Sequence, residues 1–140
     1  MRISISHSLK MIVALLGLAQ CMEAATIQVR VLNAKNGKRV PNEKVSVLVK
    51  GEKGARDYVT DADGNFNLDI DPAAEISVET EWWVTCHVIP TTTLPYISVD
   101  RILKDGFTDK NICGHAKSEP IRGQLIIFAR KATFAENFSR

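Results

Sequence analysis

The stretch TDADGNFNLDID, Thr60 to Asp71, decides the fold class, because an aspartate-rich turn leads directly into an alternating apolar pattern. Phe66, Leu68 and Ile70 alternate with Asn and Asp residues. Such alternation is typical of a β-strand with one buried face, so the carboxylates are predicted to line its solvent face. Glycine and Asx residues accept a positive φ, so residues 62–65 are predicted to form a tight hairpin turn that pairs 56–60 with 64–70.

The four aspartates of this stretch raise the question of a calcium-binding loop. An EF-hand loop requires glycine at its sixth position and glutamate at its twelfth. Counted from Asp61, those positions hold Phe66 and Pro72, and the glycine stands two places early. The stretch is therefore predicted to be a turn and a strand rather than a metal site.

Alternating patterns also predict strands at residues 27–31, 45–49 and 75–89. The run at 124–130 is almost continuously apolar, as in a central strand buried on both faces. Ser98 is suited to cap a short helix over 99–104 that Gly106 ends. Phe134 and Phe138 predict either an amphipathic turn packed on the sheet or a frayed end. About seven short strands predict an all-β fold, a single seven-stranded Greek-key β-sandwich with one short helix in its second half.

The first 25 residues carry the pattern of a secretory signal peptide. Arg2 and Lys10 precede an apolar run at 11–19 that is too short to span a membrane, and small residues follow at Ala24 and Ala25. The mature protein is therefore expected to be residues 26–140, a single domain that is secreted or periplasmic.

The mature chain is close to electrical balance. The sequence has 18 Lys and Arg against 16 Asp and Glu, and removing the signal peptide takes away Arg2, Lys10 and Glu23 to leave 16 against 15. This balance gives no case for nucleic acid or an anionic membrane as a partner. The segment LAQC, ending at Cys21, also resembles a bacterial lipoprotein cleavage site, so a membrane is expected as a partner only if Cys21 is lipidated.

Two cysteines, Cys86 and Cys113, remain in the mature chain and are expected to form a disulfide, since an even pair in an exported protein is most simply bonded. His87 and His115 stand close to them, so a zinc site is the alternative. The spacing fits no familiar zinc motif, and an oxidising compartment disfavours free thiolates. The disulfide is the favoured prediction, with neither a metal nor another cofactor.

Adjacent tryptophans offer the one candidate ligand surface. In a continuous strand over 75–89, neighbouring side chains point to opposite faces. Trp82 is then predicted to be buried beside the disulfide, and Trp83 to point outward with Glu81, Thr85 and His87. An exposed tryptophan flanked by carboxylates and hydroxyls suits sugar recognition. Two alternatives stay open, that another segment covers Trp83 and that a β-bulge near residue 82 exchanges the two faces.

Three segments carry a resemblance to a known family. The sequences VRVLNAKNGKRVP at 29–41, VSV at 45–47 and TDADGNF at 60–66 resemble the carboxypeptidase regulatory-like domain. That family is a transthyretin-like, or prealbumin-like, seven-stranded sandwich, so the resemblance implies a transthyretin/Ig-like fold for residues 26–140. The second half, with SVDRILKDG at 98–106, NIC at 111–113 and FAR at 128–130, is similar to small exported bacterial proteins and supports the disulfide and export.

Three classes of function are open. The first is a non-catalytic recognition or accessory module with a glycan or an envelope protein as its partner, and the likeness of the family to starch-binding sandwiches implies the glycan. The second is an enzyme like the transthyretin-related hydrolases, which end in Tyr-Arg-Gly-Ser, whereas this chain ends in Asn-Phe-Ser-Arg. The third is a structural domain without a ligand. The sequence contains no nucleophile elbow, zinc-protease motif or phosphate loop, so no catalytic residue is assigned.

Overall fold

Two β-sheets pack face to face in the computed structural model, which describes residues 23–87 and 95–138. Most of the predicted signal peptide, Cys21 included, and the threonine-rich loop at 90–94 lie outside the described residues. In chain order the elements are β1 (Ala25–Asn33), β2 (Lys44–Val49), β3 (Ala55–Val59), β4 (Asn65–Ile70), β5 (Glu75–Thr80), β6 (Trp83–Thr85), β7 (Ile97–Ser98), α1 (Val99–Asp105), β8 (Phe107–Thr108), β9 (Gln124–Lys131) and α2 (Phe134–Asn137).

The strands divide into sheet A and sheet B. Sheet A has the order β4-β1-β9-β6, with β8 also paired to β9, and sheet B has the order β3-β2-β5-β7. The predicted all-β sandwich is confirmed at this level. In the part of the chain that the structure describes there are nine strands rather than seven, of which β7 and β8 are only two residues long.

The core lies between the two sheets and follows the alternation in the sequence. In β4, Phe66, Leu68 and Ile70 are buried, whereas Asn67 and Asp69 are exposed, as predicted. Strands β1, β2, β5 and β9 contribute buried apolar residues as well, and α1 closes the core with two side chains. These further core residues are Ile27, Val29, Val31, Val45, Val47, Val49, Ile76, Val78, Val99, Ile102, Leu125, Ile127 and Ala129.

Strand β9 is central, as its apolar run predicts. It pairs in parallel with β1 on one side and antiparallel with β6 on the other. Its inward residues join the main core, while Ile126 and Phe128 on the outer face of sheet A form a second buried cluster with Leu32, Ala34 and Cys86. Ala116, from the long segment after β8, packs on that cluster. Both faces of β9 are therefore covered.

The turn at 62–65 is confirmed, but the predicted hairpin around it is wrong. Strand β3 pairs with β2, and β4 pairs with β1, so the turn connects the two sheets. Gly64 explains part of this geometry, because it has φ +72° and a side chain there would lie 3.0 Å from the Val31 carbonyl oxygen. The Asp61 carboxylate accepts the N–H groups of Asp63 and Asn65 and stabilises the turn.

The predicted continuous strand over 75–89 is also interrupted. Strand β5 ends at Thr80, the chain bends at Glu81 and Trp82, and β6 joins sheet A instead of sheet B. The bend reverses the predicted positions of the tryptophans. Trp82 is 56% exposed, whereas Trp83 is partly buried against the core. Residues 88 and 89 of the predicted strand lie outside the described residues.

The two helices have distinct roles. Helix α1 begins after Ser98, whose hydroxyl accepts the N–H of Arg101, and ends before Gly106 at φ +74°, as predicted apart from one additional residue. Phe134 in helix α2 and Phe138 after it are exposed and touch each other edge to face, so these rings do not pack on the sheet, which was one of the two predicted alternatives. Neither helix is long and apolar enough to cross a membrane.

Candidate functional site

A buried carboxylate sets the direction of both tryptophans. Glu43 stands immediately before β2 and is almost fully buried. Its Oε1 accepts the backbone N–H groups of Trp82 at 2.8 Å and of Trp83 at 2.9 Å. Hydrogen bonds to a charged acceptor are stronger than those between neutral groups, so this carboxylate fixes the bend between the sheets. Thr60 in turn holds Glu43, because its hydroxyl accepts the Glu43 N–H at 2.8 Å.

Thr80 and Thr85 fasten the other side of the bend. The Thr80 hydroxyl donates to the Trp83 carbonyl oxygen at 2.9 Å, and the Thr80 N–H donates to the Thr85 hydroxyl at 2.8 Å. With Trp83 partly buried against the core, the chain leaves Trp82 as the tryptophan that projects from the molecule.

Polar side chains of sheet B are linked to Glu81, the residue that precedes Trp82 in the chain. Lys44 Nζ lies 2.7 Å from the Glu81 carboxylate and 3.5 Å from that of Asp57, and these contacts raise the pKa of Lys44, the hydrogen bond to Glu81 most of all. The Ser46 hydroxyl donates to Asp57 at 2.8 Å and lowers the pKa of that carboxyl. We call Trp82, Glu81, Lys44, Asp57 and Ser46 the Trp82 surface.

A shallow depression extends this surface along β5. It has a volume of about 270 Å³ and is lined by Ser46, Glu79, Thr80 and Glu81. Hydroxyl and carboxylate oxygens therefore adjoin the residue that precedes Trp82 in the chain. An exposed aromatic ring, together with hydrogen-bonding groups gathered at the residue that precedes it, is suited to an uncharged polar ligand that also has an apolar face.

His87 is buried rather than exposed, contrary to the prediction. Its Nε2 lies 3.2 Å from Glu79 Oε1 and its Nδ1 lies 3.4 Å from Asp109 Oδ2. The contact with Asp109 and then that with Glu79 raise the pKa of His87 to about 9, against the opposing effect of burial. The imidazolium therefore joins sheet B to the segment after β8, and its role is to link these elements.

The predicted ligand surface of Trp83, Glu81, Thr85 and His87 is not assembled as a surface. Trp83 packs on the core, Thr85 bonds to Thr80 and His87 is buried, so Glu81 alone lies beside the exposed tryptophan. The sequence prediction missed Glu43, Lys44 and Asp57, because nothing in the local pattern brings the start of β2 next to residue 82. The one signal in the sequence that could have indicated an exposed Trp82 was the alternative of a β-bulge near residue 82, which exchanges the two faces of the strand.

The predicted disulfide between Cys86 and Cys113 is confirmed, with their Cα atoms 5.5 Å apart. It ties the segment after β8 to the outer face of sheet A. Asn111 orders the same segment, because its side-chain amide donates to the carbonyl oxygens of Ala34 and Ala116. Both sulfurs are bonded, so neither is a thiolate ligand for zinc, and no set of three His, Cys, Asp or Glu side chains among residues 23–87 and 95–138 is arranged to hold a metal ion.

Known proteins add no further information about this site. Comparisons with protein-family models, with curated proteins and with solved structures find no match to the chain. The geometry of the described residues is therefore the basis for an inference about function.

Proposed function

We propose that this protein is an exported, non-catalytic β-sandwich module that binds a glycan through the Trp82 surface. The observation that carries the proposal is an indole more than half exposed on a bend that the buried Glu43 carboxylate holds in place. A bend held in this way keeps the indole turned outward, where its apolar face is accessible to a ligand. Its flat face can stack on the C–H face of a pyranose ring.

The polar groups linked to Glu81, the neighbour of Trp82 in the chain, support a sugar rather than an apolar ligand. Glu81, Asp57 and Ser46 supply oxygen atoms, and Lys44 supplies an ammonium group that bridges two of them. Sugar hydroxyls both donate and accept hydrogen bonds, so they match this mixture. These groups are already ordered by contacts with one another, which lowers the conformational entropy that binding costs.

Export and family membership form part of the same proposal. The disulfide is compatible with an oxidising compartment, where such bonds persist. The three segments that resemble the carboxypeptidase regulatory-like domain fall on β1, on β2 and on the turn that leads into β4. A transthyretin-like sandwich, in which this recognition surface is carried at one end of β5, is the architecture that we propose.

A glycan array with the purified, oxidised domain tests this proposal. We expect the wild-type protein to bind a restricted set of glycans and Trp82→Ala to lose that binding. Phe134→Ala is the matched control, because it also removes an exposed aromatic ring but leaves the Trp82 surface intact. If the folded wild-type protein binds no glycan on the array, or if Trp82→Ala binds as well as the wild type, the proposal is rejected in favour of a structural domain.

A further inference from the structure

A second cavity lies where β7, α1 and β8 meet, at the end of β5 opposite to Trp82. Its volume is about 370 Å³, within the range of small-molecule sites. The aromatic rings of Tyr96 and Phe107 contribute apolar walls. The polar groups that line it come from Glu75, Ser98, Arg101 and Asp109.

One positive charge in this cavity lacks an acidic partner. Arg101 makes no ion pair with any residue in 23–87 or 95–138, and its guanidinium lies over the Phe107 ring at 4.8 Å from the centroid. Both carboxylates of the cavity are already matched. Glu75 lies 2.6 Å from Lys50 Nζ, and Asp109 lies 3.4 Å from the buried His87. The unmatched charge that the cavity offers to a ligand is therefore positive.

Stacking on Phe107 also prepares Arg101 to bind a planar anion. A guanidinium held over an aromatic ring by a cation–π contact makes no hydrogen bond to that ring, and its fork of N–H donors matches the two oxygens of a carboxylate. Ser98 lines the same cavity, and its hydroxyl oxygen accepts the backbone N–H of Arg101 at 3.4 Å, which leaves the hydroxyl hydrogen available to a ligand.

We propose that this cavity binds the carboxylate of an acidic sugar, such as a uronic acid residue. Arg101 would bind the carboxylate, the Tyr96 ring would contact the C–H face of the sugar, and oxygens of Glu75, Ser98 and Asp109 would form hydrogen bonds with the hydroxyls. This site is separate from the Trp82 surface and goes beyond the function proposed for it. The two sites stand at opposite ends of β5, so one can be lost without the other.

The test is a titration of the ¹⁵N-labelled, oxidised protein with sodium D-glucuronate and, separately, with D-glucose, followed by NMR. These sugars differ in the carboxylate. We expect glucuronate to cause saturable shifts at the amides of residues 97–101 and 106–109, and glucose to bind at least about tenfold more weakly, as the loss of a charged hydrogen bond implies.

Two variants complete this test. Arg101→Gln should weaken glucuronate binding by about tenfold or more, and Arg101→Lys should retain part of it because the charge stays but the fork is lost. Lys117→Gln, at another exposed cation, removes the same charge and should bind normally. Equal responses to the two sugars, unchanged binding by Arg101→Gln, or shifts confined to the Trp82 surface would each overturn the proposal.

Discussion

The Glu43 carboxylate accepts the backbone N–H of Trp82 at 2.8 Å, although 39 residues separate them in the chain. This contact ends the run of β5 and sends the chain across to sheet A. The position of an exposed tryptophan therefore depends on a buried acid at the start of β2.

The first prediction concerns the stability of this bend. Glu43→Ala removes the acceptor for two N–H groups, and a buried donor without a partner is costly, so we expect a loss of roughly 1–3 kcal/mol of unfolding free energy. Glu43→Gln keeps an acceptor oxygen in the same place and should lose much less. Urea denaturation measures the unfolding free energy of both variants. Equal losses would show that an acceptor oxygen at residue 43 does not stabilise the bend.

The second prediction separates the two tryptophans by fluorescence. In Trp83→Phe, the remaining Trp82 should emit at long wavelength and be quenched readily by acrylamide, because its ring is exposed. In Trp82→Phe, the remaining Trp83 should emit at shorter wavelength and be shielded, because it packs on the core. If the two spectra were reversed, residues 75–89 would instead form the continuous strand that the alternating pattern predicts.

The third prediction is a pH dependence due to His87. Its pKa is raised from 6.5 to about 9 by Asp109 and Glu79, so the folded state binds a proton more tightly than the unfolded state. The stabilisation is fully present below pH 6.5 and is lost as the pH rises through about 9. Denaturation midpoints should therefore fall over this window in the wild-type protein and change less in His87→Asn.

His115 provides the control for that measurement. It is exposed, and His115→Asn should keep the wild-type slope of stability against pH. If His87→Asn has the same slope of stability against pH as the wild type, groups other than His87 cause the pH dependence.

The fourth prediction concerns the disulfide. Reduction, or replacement of both Cys86 and Cys113 by alanine, should cost about 3 kcal/mol of unfolding free energy. The segment that the bond ties down covers Ile126 and Phe128, so its release should also increase the binding of a hydrophobic dye to the folded protein. Peptide mapping without reduction should find the two cysteines linked, and free thiols in protein purified without a reducing agent would contradict this account.

Local patterns predicted the parts of this fold that depend on local burial. The alternation in β1, β2 and β4, the double burial of β9 and the cap of α1 at Ser98 all follow from residues close together in the chain. Strand partners did not follow from these patterns. Tyr58 in β3 and Phe66 in β4 stack on each other although their strands belong to different sheets. No residue between them distinguishes this arrangement from a hairpin in one sheet.

The candidate site was predicted only in outline for the same reason. A tryptophan next to carboxylates was visible in the sequence, but which of two adjacent rings is exposed depends on Glu43, and the burial of His87 depends on Asp109. Both contacts join distant parts of the chain. Alternation assigns faces correctly only while a strand stays in one sheet, and here the chain changes sheet between Thr80 and Trp83.

The most direct test of glycan binding at the Trp82 surface is acrylamide quenching of Trp83→Phe, whose remaining tryptophan is Trp82, with and without a saturating glycan selected by the array. Calorimetry first verifies that the variant binds that glycan. A sugar stacked on the indole should shield it, so we predict a clear drop in the quenching constant when the glycan is bound. An unchanged quenching constant with bound glycan would contradict the account, because it would place the ligand elsewhere on the molecule.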